Sequence, residues 1–242
     1  MTSNMETKAI ILCAGQGIRL RPLTDNIPKC LVKVNGIPIL VNAIRVLSGI
    51  GIKEIVLVVG YLADAIKKQI GEDFEGVKIK YIENKAYNNT NSMYSLSLGL
   101  ESVSSNVWVL EGDVFLSRQI LDLPLSGEMS WFTDSRAAIF DGAFLKSKDL
   151  RRVDGLKIIR GNESKIGLHK SIGLLYISKP VVEKIKKWLT DGVVQERTNE
   201  YYDLILADHF DQIKCNLVDV VGCKWFEIDT IEDLQKAELI FK

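Results

Sequence analysis

The chain has 242 residues, 47% of them hydrophobic, enough for one large domain with a substantial core, and a single domain over 1–242 is the expectation. Its 31 lysines and arginines balance 31 aspartates and glutamates, so no global field attracts nucleic acid or an anionic membrane, and any phosphate site must be local. The four cysteines, Cys13, Cys30, Cys215 and Cys223, lack metal-ligand spacing. The residues before Lys8 carry no signal-like apolar run, and no stretch is long enough to span a bilayer, so a cytoplasmic small-molecule enzyme is expected, with self-association left open.

The first expected strand is the apolar run Ala9, Ile10, Ile11 and Leu12, the pattern of a strand buried on both faces in a parallel sheet. Gly15 and Gly17 follow and let the backbone turn and approach a ligand closely. Arg19, Arg21 and Lys29 lie in the same loop. Backbone N–H groups joined by guanidinium and ammonium groups suit a polyphosphate. A dinucleotide fingerprint is disfavoured: Leu20 stands in place of its third glycine, Pro22 interrupts a helix there, and the next strand ends in Gly60-Tyr61 without a ribose-binding acid. A P-loop would need Gly-Lys-Ser/Thr, which is absent. A tight βα turn with incidental basic residues is the plain alternative.

Further along, Asn35-Gly36 signals a tight turn, and residues 37–47 read as a helix with Pro38 in its first turn. Strands are expected at 55–59, 77–82 and 107–110, with helices at 62–70 and 91–103 between them. The 107–110 strand runs into Glu111-Gly112-Asp113. From Met129 the pattern changes to short strands at 129–133, 137–140, 153–159 and 172–177, an antiparallel extension expected to cover the parallel sheet. Helices at 180–189 and 200–210, a strand at 216–221 and a helix at 231–240 complete the chain, with Asp229 or Thr230 as the last helix's cap. The expected fold is α/β: a Rossmann-like, mostly parallel sheet flanked by helices, with a small antiparallel extension for acceptor binding. Residues 8–115 would be the nucleotide-binding half and 116–242 the acceptor half.

Asp113 and Asp229 each have a bland reading, as a turn residue and as a helix cap. Together they suit the Mg²⁺ that accompanies polyphosphates, since this ion takes one or two carboxylates plus phosphate oxygens and water. The run from Leu12 to Thr24, with Pro28-Lys29, resembles the signature of the nucleotidyltransferase family that makes nucleoside-diphosphate sugars and CDP-alcohols. Gly112-Asp113 and Glu227-Ile228-Asp229-Thr230 resemble that family's two metal-binding segments.

The stretch Ala86 to Leu96 can be a polar loop capping a helix, or a set of amides and hydroxyls reading a base. It resembles the Tyr-x-x-Thr-Asn-Ser-x-Tyr-Ser-Leu segment of the cytidylyltransferase branch, which includes phosphocholine and inositol-1-phosphate enzymes. The resemblance implies Mg²⁺-dependent transfer of CMP from CTP to a phosphorylated alcohol, with no enzymic nucleophile. It places Arg19 on the β,γ-phosphates, Lys29 between the α-phosphate and the acceptor, and Asp113 and Asp229 on the metal. Leu12, Ala14, Gly15, Gln16, Gly17, Thr90, Asn91 and Ser92 would surround the nucleotide.

For the acceptor, quaternary ammonium groups favour aromatic faces helped by a carboxylate. Trp131 with Asp134, and Tyr201 with Asp203, are the candidates, the second pair lying in a segment that resembles an acidic-aromatic one of the cytidylyltransferase branch. Phosphocholine is the first choice of acceptor. A sugar-1-phosphate or inositol-1-phosphate enzyme using CTP, UTP or dTTP, and a non-catalytic nucleotide-binding subunit, are the alternatives.

Overall fold

The computed structural model describes residues 7–137, 141–149, 151–161 and 166–242. In chain order the first half holds β1 (Thr7–Cys13), β2 (Lys33–Val34), β3 (Ile37–Pro38), α1 (Ile39–Gly49), β4 (Glu54–Val59), α2 (Ala63–Ile70), β5 (Asp73–Phe74), β6 (Val77–Glu83), α3 (Ser92–Leu100), β7 (Asn106–Glu111) and β8 (Val114–Leu116). The second half holds β9 (Met129–Asp134), β10 (Gly142–Lys146), β11 (Gly155–Ile159), β12 (Leu168–Ile177), α4 (Lys179–Val194), α5 (Tyr202–Ala207), β13 (Cys215–Asp219), β14 (Trp225–Glu227) and α6 (Ile231–Ile240).

Strand periodicity builds two cores on opposite faces of one sheet. Ala9, Ile11, Ile55, Leu57 and Val59 face α1 and α2, while Ile10, Val56 and Val58 face α3, α4 and α5. The sheet runs β11-β10-β12-β7-β1-β4-β6-β5, with β9 beside β12 and β13 beside β9. Strands β7, β1, β4 and β6 are parallel, as expected.

The sheet as a whole is mixed rather than mostly parallel. The antiparallel extension does not cover the parallel strands; it continues them, because β12 pairs antiparallel with β7 from Leu174 opposite Leu110 to Ile177 opposite Val107. The reason is visible in the burial: Ile172 and Leu174 enter the first core and Leu175 and Ile177 the second, so β12 is sandwiched like its parallel neighbours. The register of β12 against β9 shifts between Ser171 and Leu175. Gly173 sits in that irregularity at φ +70°, and a Cβ there would lie 3.1 Å from the Glu111 side chain.

Several boundaries differ from expectation. Pro38 is not in a helix: Asn35 and Gly36, both at positive φ, close a two-residue hairpin in which Pro38 opposes Lys33, and α1 starts one residue later. The helix expected at 200–210 is only Tyr202–Ala207. The strand expected at 137–140 falls largely on residues 138–140, outside the described residues, and the strand seen nearby is β10. The pair β8 and β14, antiparallel with Glu227 opposite Val114, was not anticipated as a pair. It matters most, because it carries the C-terminal segment back to the end of β7.

Candidate active site

A cleft of about 1180 Å³ opens at the carboxyl ends of β1 and β7, and every anticipated site residue except Trp131 lines it. Its first wall is the loop after β1. Gly17 adopts φ +63°, and a Cβ there would stand 2.9 Å from Lys29 Cβ, so only glycine lets Lys29 pass so close. The Thr24 hydroxyl donates to Gly17 O at 2.7 Å. Leu20 anchors the loop in a small third core with Val34, Phe115 and Ile228. A short 3-10 turn, Ile18–Leu20, follows the glycines instead of an α-helix, consistent with the rejected dinucleotide reading. Arg21 pairs with Asp25 at 3.2 Å and is not part of the cleft lining.

At the floor, Lys29 Nζ donates to Asp113 Oδ2 and to Asp229 Oδ1, each at 2.6 Å, and Arg19 reaches Asp229 Oδ1 at 2.8 Å. Burial works to lower the Lys29 pKa, but attraction to Asp113 and Asp229 overrides it and leaves the ammonium above the ordinary lysine value. Burial likewise works to raise the Asp229 carboxyl, and Lys29 and Arg19 hold it below the usual range. Thr230, not Asp229, caps α6, in a capping box with Asp233. Asp229 is thereby left to face Lys29.

Glu111 and Glu227 were not anticipated. Carboxylate oxygens of Glu111, Asp113 and Glu227 lie within 4.8 Å of one another. The spacing in Glu111-Gly112-Asp113 and Glu227-Ile228-Asp229, two residues apart at the ends of strands, was the available signal. Lys170 donates to Glu227 at 2.7 Å, and the Tyr202 hydroxyl donates to Glu111 at 2.8 Å. Burial, reinforced by Asp113, Asp203 and Glu227, pushes Glu111 well up; burial raises Glu227 against the pull of Lys170, and pushes Asp203 up to about 6. Asp113 Oδ1 is buried and has no hydrogen-bond partner among the described residues. A hard cation that takes oxygen ligands fits that orphaned atom and its carboxylate neighbours. Asp229, the second expected ligand, is engaged by Lys29 and Arg19 and lies outside the close trio.

The residues expected around the base have protein partners. Thr90 Oγ1 accepts from Asn84 at 3.0 Å and donates to Ala86 O at 2.9 Å. Asn91 caps α3 by accepting from the Ser92 N–H at 2.8 Å, and the Ser92 hydroxyl accepts from the Tyr202 N–H at 3.2 Å. Gln16 bonds Asn88 at 3.0 Å, joining the glycine loop to the 84–91 loop.

On the acceptor side, Asp134 accepts from the Trp225 indole N–H at 2.8 Å. The Tyr201 hydroxyl accepts from Arg160 at 3.0 Å. Trp131 corrects the expectation: it is 0% exposed, on the face of β9 that enters the second core, tilted against the Tyr202 ring and edge-on to Phe210. Its indole N–H donates to Ser171, a residue of the cleft lining, at 2.9 Å. The aromatic residues of the cleft on this side are Tyr201, Trp225 and Phe226.

Comparison with known proteins gives a consistent picture. The family described as Nucleotidyl transferase matches residues 8–125. Choline-phosphate cytidylyltransferase from Streptococcus pneumoniae is 32% identical over 240 residues, covering 97% of this chain and 98% of that protein. The 2-aminoethylphosphonate cytidylyltransferase of Lancefieldella rimae is 27% identical, covering 96% and 92% of the two chains. Among solved structures, CTP:phosphocholine cytidylyltransferase from Streptococcus pneumoniae superposes with a TM-score of 0.79 at 29% identity, over 98% of this chain and 100% of that one.

Proposed function

Since the chain belongs to the nucleotidyl transferase family, its reaction is nucleotidyl transfer from a nucleoside triphosphate to a phosphorylated acceptor, and we propose that the nucleotide is CTP and the acceptor phosphocholine. The observation that carries this reading is the polarity of the cleft. Cations stand where a triphosphate would lie, and a surplus of carboxylates stands beyond them. Arg19 and Lys29 sit beside the glycine loop, whereas Asp134 and Asp203, which lie outside the trio around Asp113, line the cleft with Tyr201 and Trp225, and burial pushes the Asp203 pKa up to about 6. A quaternary ammonium relieves that surplus charge, with Tyr201 and Trp225 offering aromatic faces. A neutral polyol head would leave it uncompensated.

In this mechanism a non-bridging oxygen of the acceptor phosphate attacks the α-phosphorus, and the bond to the pyrophosphate oxygen breaks in line. The acceptor needs no general base, because a phosphate monoester has a second pKa of about 6 and is largely dianionic at neutral pH. The protein's work is positioning and charge neutralisation. Lys29 bridges the α-phosphate and the attacking phosphate, and Arg19 holds the β,γ-phosphates. Asp113 and Asp229 would hold Mg²⁺, with Glu111 and Glu227 close to Asp113, and the ion would supply further neutralisation of the triphosphate. Thr90 and Asn91, on the loop buttressed by Asn84, border the base.

The test is a coupled pyrophosphate-release assay with CTP, UTP, dTTP, GTP and ATP against phosphocholine, phosphoethanolamine, 2-aminoethylphosphonate, inositol-1-phosphate and glucose-1-phosphate. The highest kcat/KM is expected for CTP with phosphocholine. A polyol phosphate as the best acceptor would overturn the acceptor assignment, and indifference to the base would overturn CTP. No turnover with any pair would leave a nucleotide-binding subunit.

A further inference from the structure

The start of α3 and the start of α5 are fastened together at three points. The Asn91 N–H donates to Thr198 O at 2.9 Å and the Met93 N–H to Glu200 O at 3.2 Å. Between them, the Ser92 hydroxyl accepts the Tyr202 N–H at 3.2 Å. The Ser92 N–H is itself taken by Asn91 Oδ1. The N–H groups of Asn91, Ser92 and Met93, which an open helix start would offer to an anion, are thus committed to the protein. They serve as a joint between the loop on the nucleotide side and the segment carrying Tyr201 and Asp203.

The far side of the joint reaches the reacting centre. Tyr202 is buried, and its hydroxyl donates to Glu111 Oε1 at 2.8 Å, in the carboxylate trio with Asp113. Glu111 is confined on another side by Gly173, where any Cβ would crowd it. The segment before Tyr202 is braced by Arg197, whose guanidinium bonds both Glu200 and Asp208. A displacement at Ser92 therefore has a short, packed route to Asp203 through the backbone and to Glu111 through the tyrosine ring.

We propose that Ser92 is a positioning residue for the acceptor rather than a reader of the nucleotide, and that its bond to Tyr202 couples occupancy of the 84–92 loop to the geometry of the acceptor subsite. This rests on the assignment of CTP as the nucleotide, which the base panel tests separately, and of Tyr201 and Asp203 to the acceptor, but not on which phosphorylated alcohol is used. Order imposed on the 84–92 loop by CTP is then transmitted to residues 201–203, and the acceptor binds more tightly to the nucleotide complex than to the free protein.

The experiment compares wild type, Ser92→Ala and Ser92→Thr in two readouts. In steady-state kinetics, run with whichever acceptor the wild type uses best, Ser92→Ala should raise the acceptor KM about fivefold, the factor expected for one ordinary hydrogen bond. The dissociation constant of CTP in the absence of acceptor should change by less than about twofold, because the lost coupling belongs to the ternary complex, and Ser92→Thr, which keeps the hydroxyl, should recover the wild-type acceptor KM. In amide hydrogen exchange, which needs no acceptor, CTP should slow exchange at Tyr202 and Asp203 in the wild type but not in Ser92→Ala. A raised CTP KM with an unchanged acceptor KM would overturn the proposal, and so would CTP-dependent protection at Tyr202 that survives in Ser92→Ala. If phosphocholine is not the acceptor, the exchange result stands unaffected, so the two failures are distinguishable.

Discussion

Lys29 and Asp229, 200 residues apart in sequence, meet at 2.6 Å. The same ammonium nitrogen lies 2.6 Å from Asp113, so one cation holds together the end of the first loop, the turn after β7 and the approach to α6. Its charge is already matched by carboxylates before any phosphate arrives, which keeps it fully protonated at any working pH.

Replacing Lys29 with alanine should lower kcat by about 10² to 10³, the range for loss of one preorganised charge at a developing transition state. The KM for CTP should rise only a few-fold, since Arg19 and the loop amides remain. Steady-state kinetics on the folded variant checks this. A change confined to KM would assign Lys29 to ground-state binding instead.

The two loop glycines should respond oppositely to the same substitution. Gly17→Ala forces a Cβ into a positive-φ position and to 2.9 Å from Lys29, so it should lose about 1 to 3 kcal/mol of stability and displace the Lys29 ammonium. Gly15 has no atom within 4 Å of the position its Cβ would take. Gly15→Ala should leave stability within about 0.5 kcal/mol yet raise the KM for CTP, because the new methyl would occupy space the cleft keeps for ligand. Urea unfolding and kinetics on both variants separate strain from occlusion.

The parts of this site legible in the sequence are those in which local chemistry and position coincide. The buried run of β1, the glycines after it and the acids after two strands each declare themselves within a few residues. The tertiary partners do not. Glu111 is an ordinary acid two residues from Asp113, and Glu227 an ordinary acid near the C-terminus, until the pairing of β8 with β14 brings Glu227 to both. Trp131 was expected on the acceptor for its aromatic chemistry, but strand parity turned it into the core, whereas Trp225 lines the cleft. The antiparallel half was legible as short strands, whereas its edge-to-edge continuation of β7 depends on non-local hydrogen bonds that no local pattern encodes.

Thr230 and Asp229 are neighbours with separable duties. Thr230→Ala removes a capping-box hydroxyl and should cost about 1 kcal/mol while sparing most of kcat. Asp229→Asn should leave the cap intact and abolish turnover. It also has a signature in pH. The Asp229 carboxyl is held below its ordinary value by Lys29 and Arg19 against the effect of burial, so its ionised form stabilises the fold above the ordinary carboxylate range, and that stability is lost as pH falls through the depressed value. The wild-type advantage over Asp229→Asn should therefore be present at pH 7 and shrink on acidification in urea titrations. An advantage independent of pH would remove the charge interaction from the account.

Asp203 should show the reverse pH dependence. Burial is the main cause that lifts its pKa from 3.8 to about 6, with Glu227 adding to the effect and the Asp203 backbone N–H and Lys170 opposing it. A carboxyl that binds its proton more tightly when folded contributes stability that is complete below pH 4 and lost as pH rises through about 6. Two pKa units correspond to about 3 kcal/mol. Asparagine is close in shape to the protonated acid and cannot ionise, so the stability of Asp203→Asn minus that of wild type should grow by about that amount between pH 4 and 7 and then level off. Urea unfolding across this range measures the difference directly. In the presence of a saturating cationic acceptor the growth should be smaller, because the ammonium stabilises the ionised carboxylate that burial disfavours. A difference that stays flat in the free protein would place the Asp203 pKa near its ordinary value and mean that its carboxylate is already compensated before any acceptor binds.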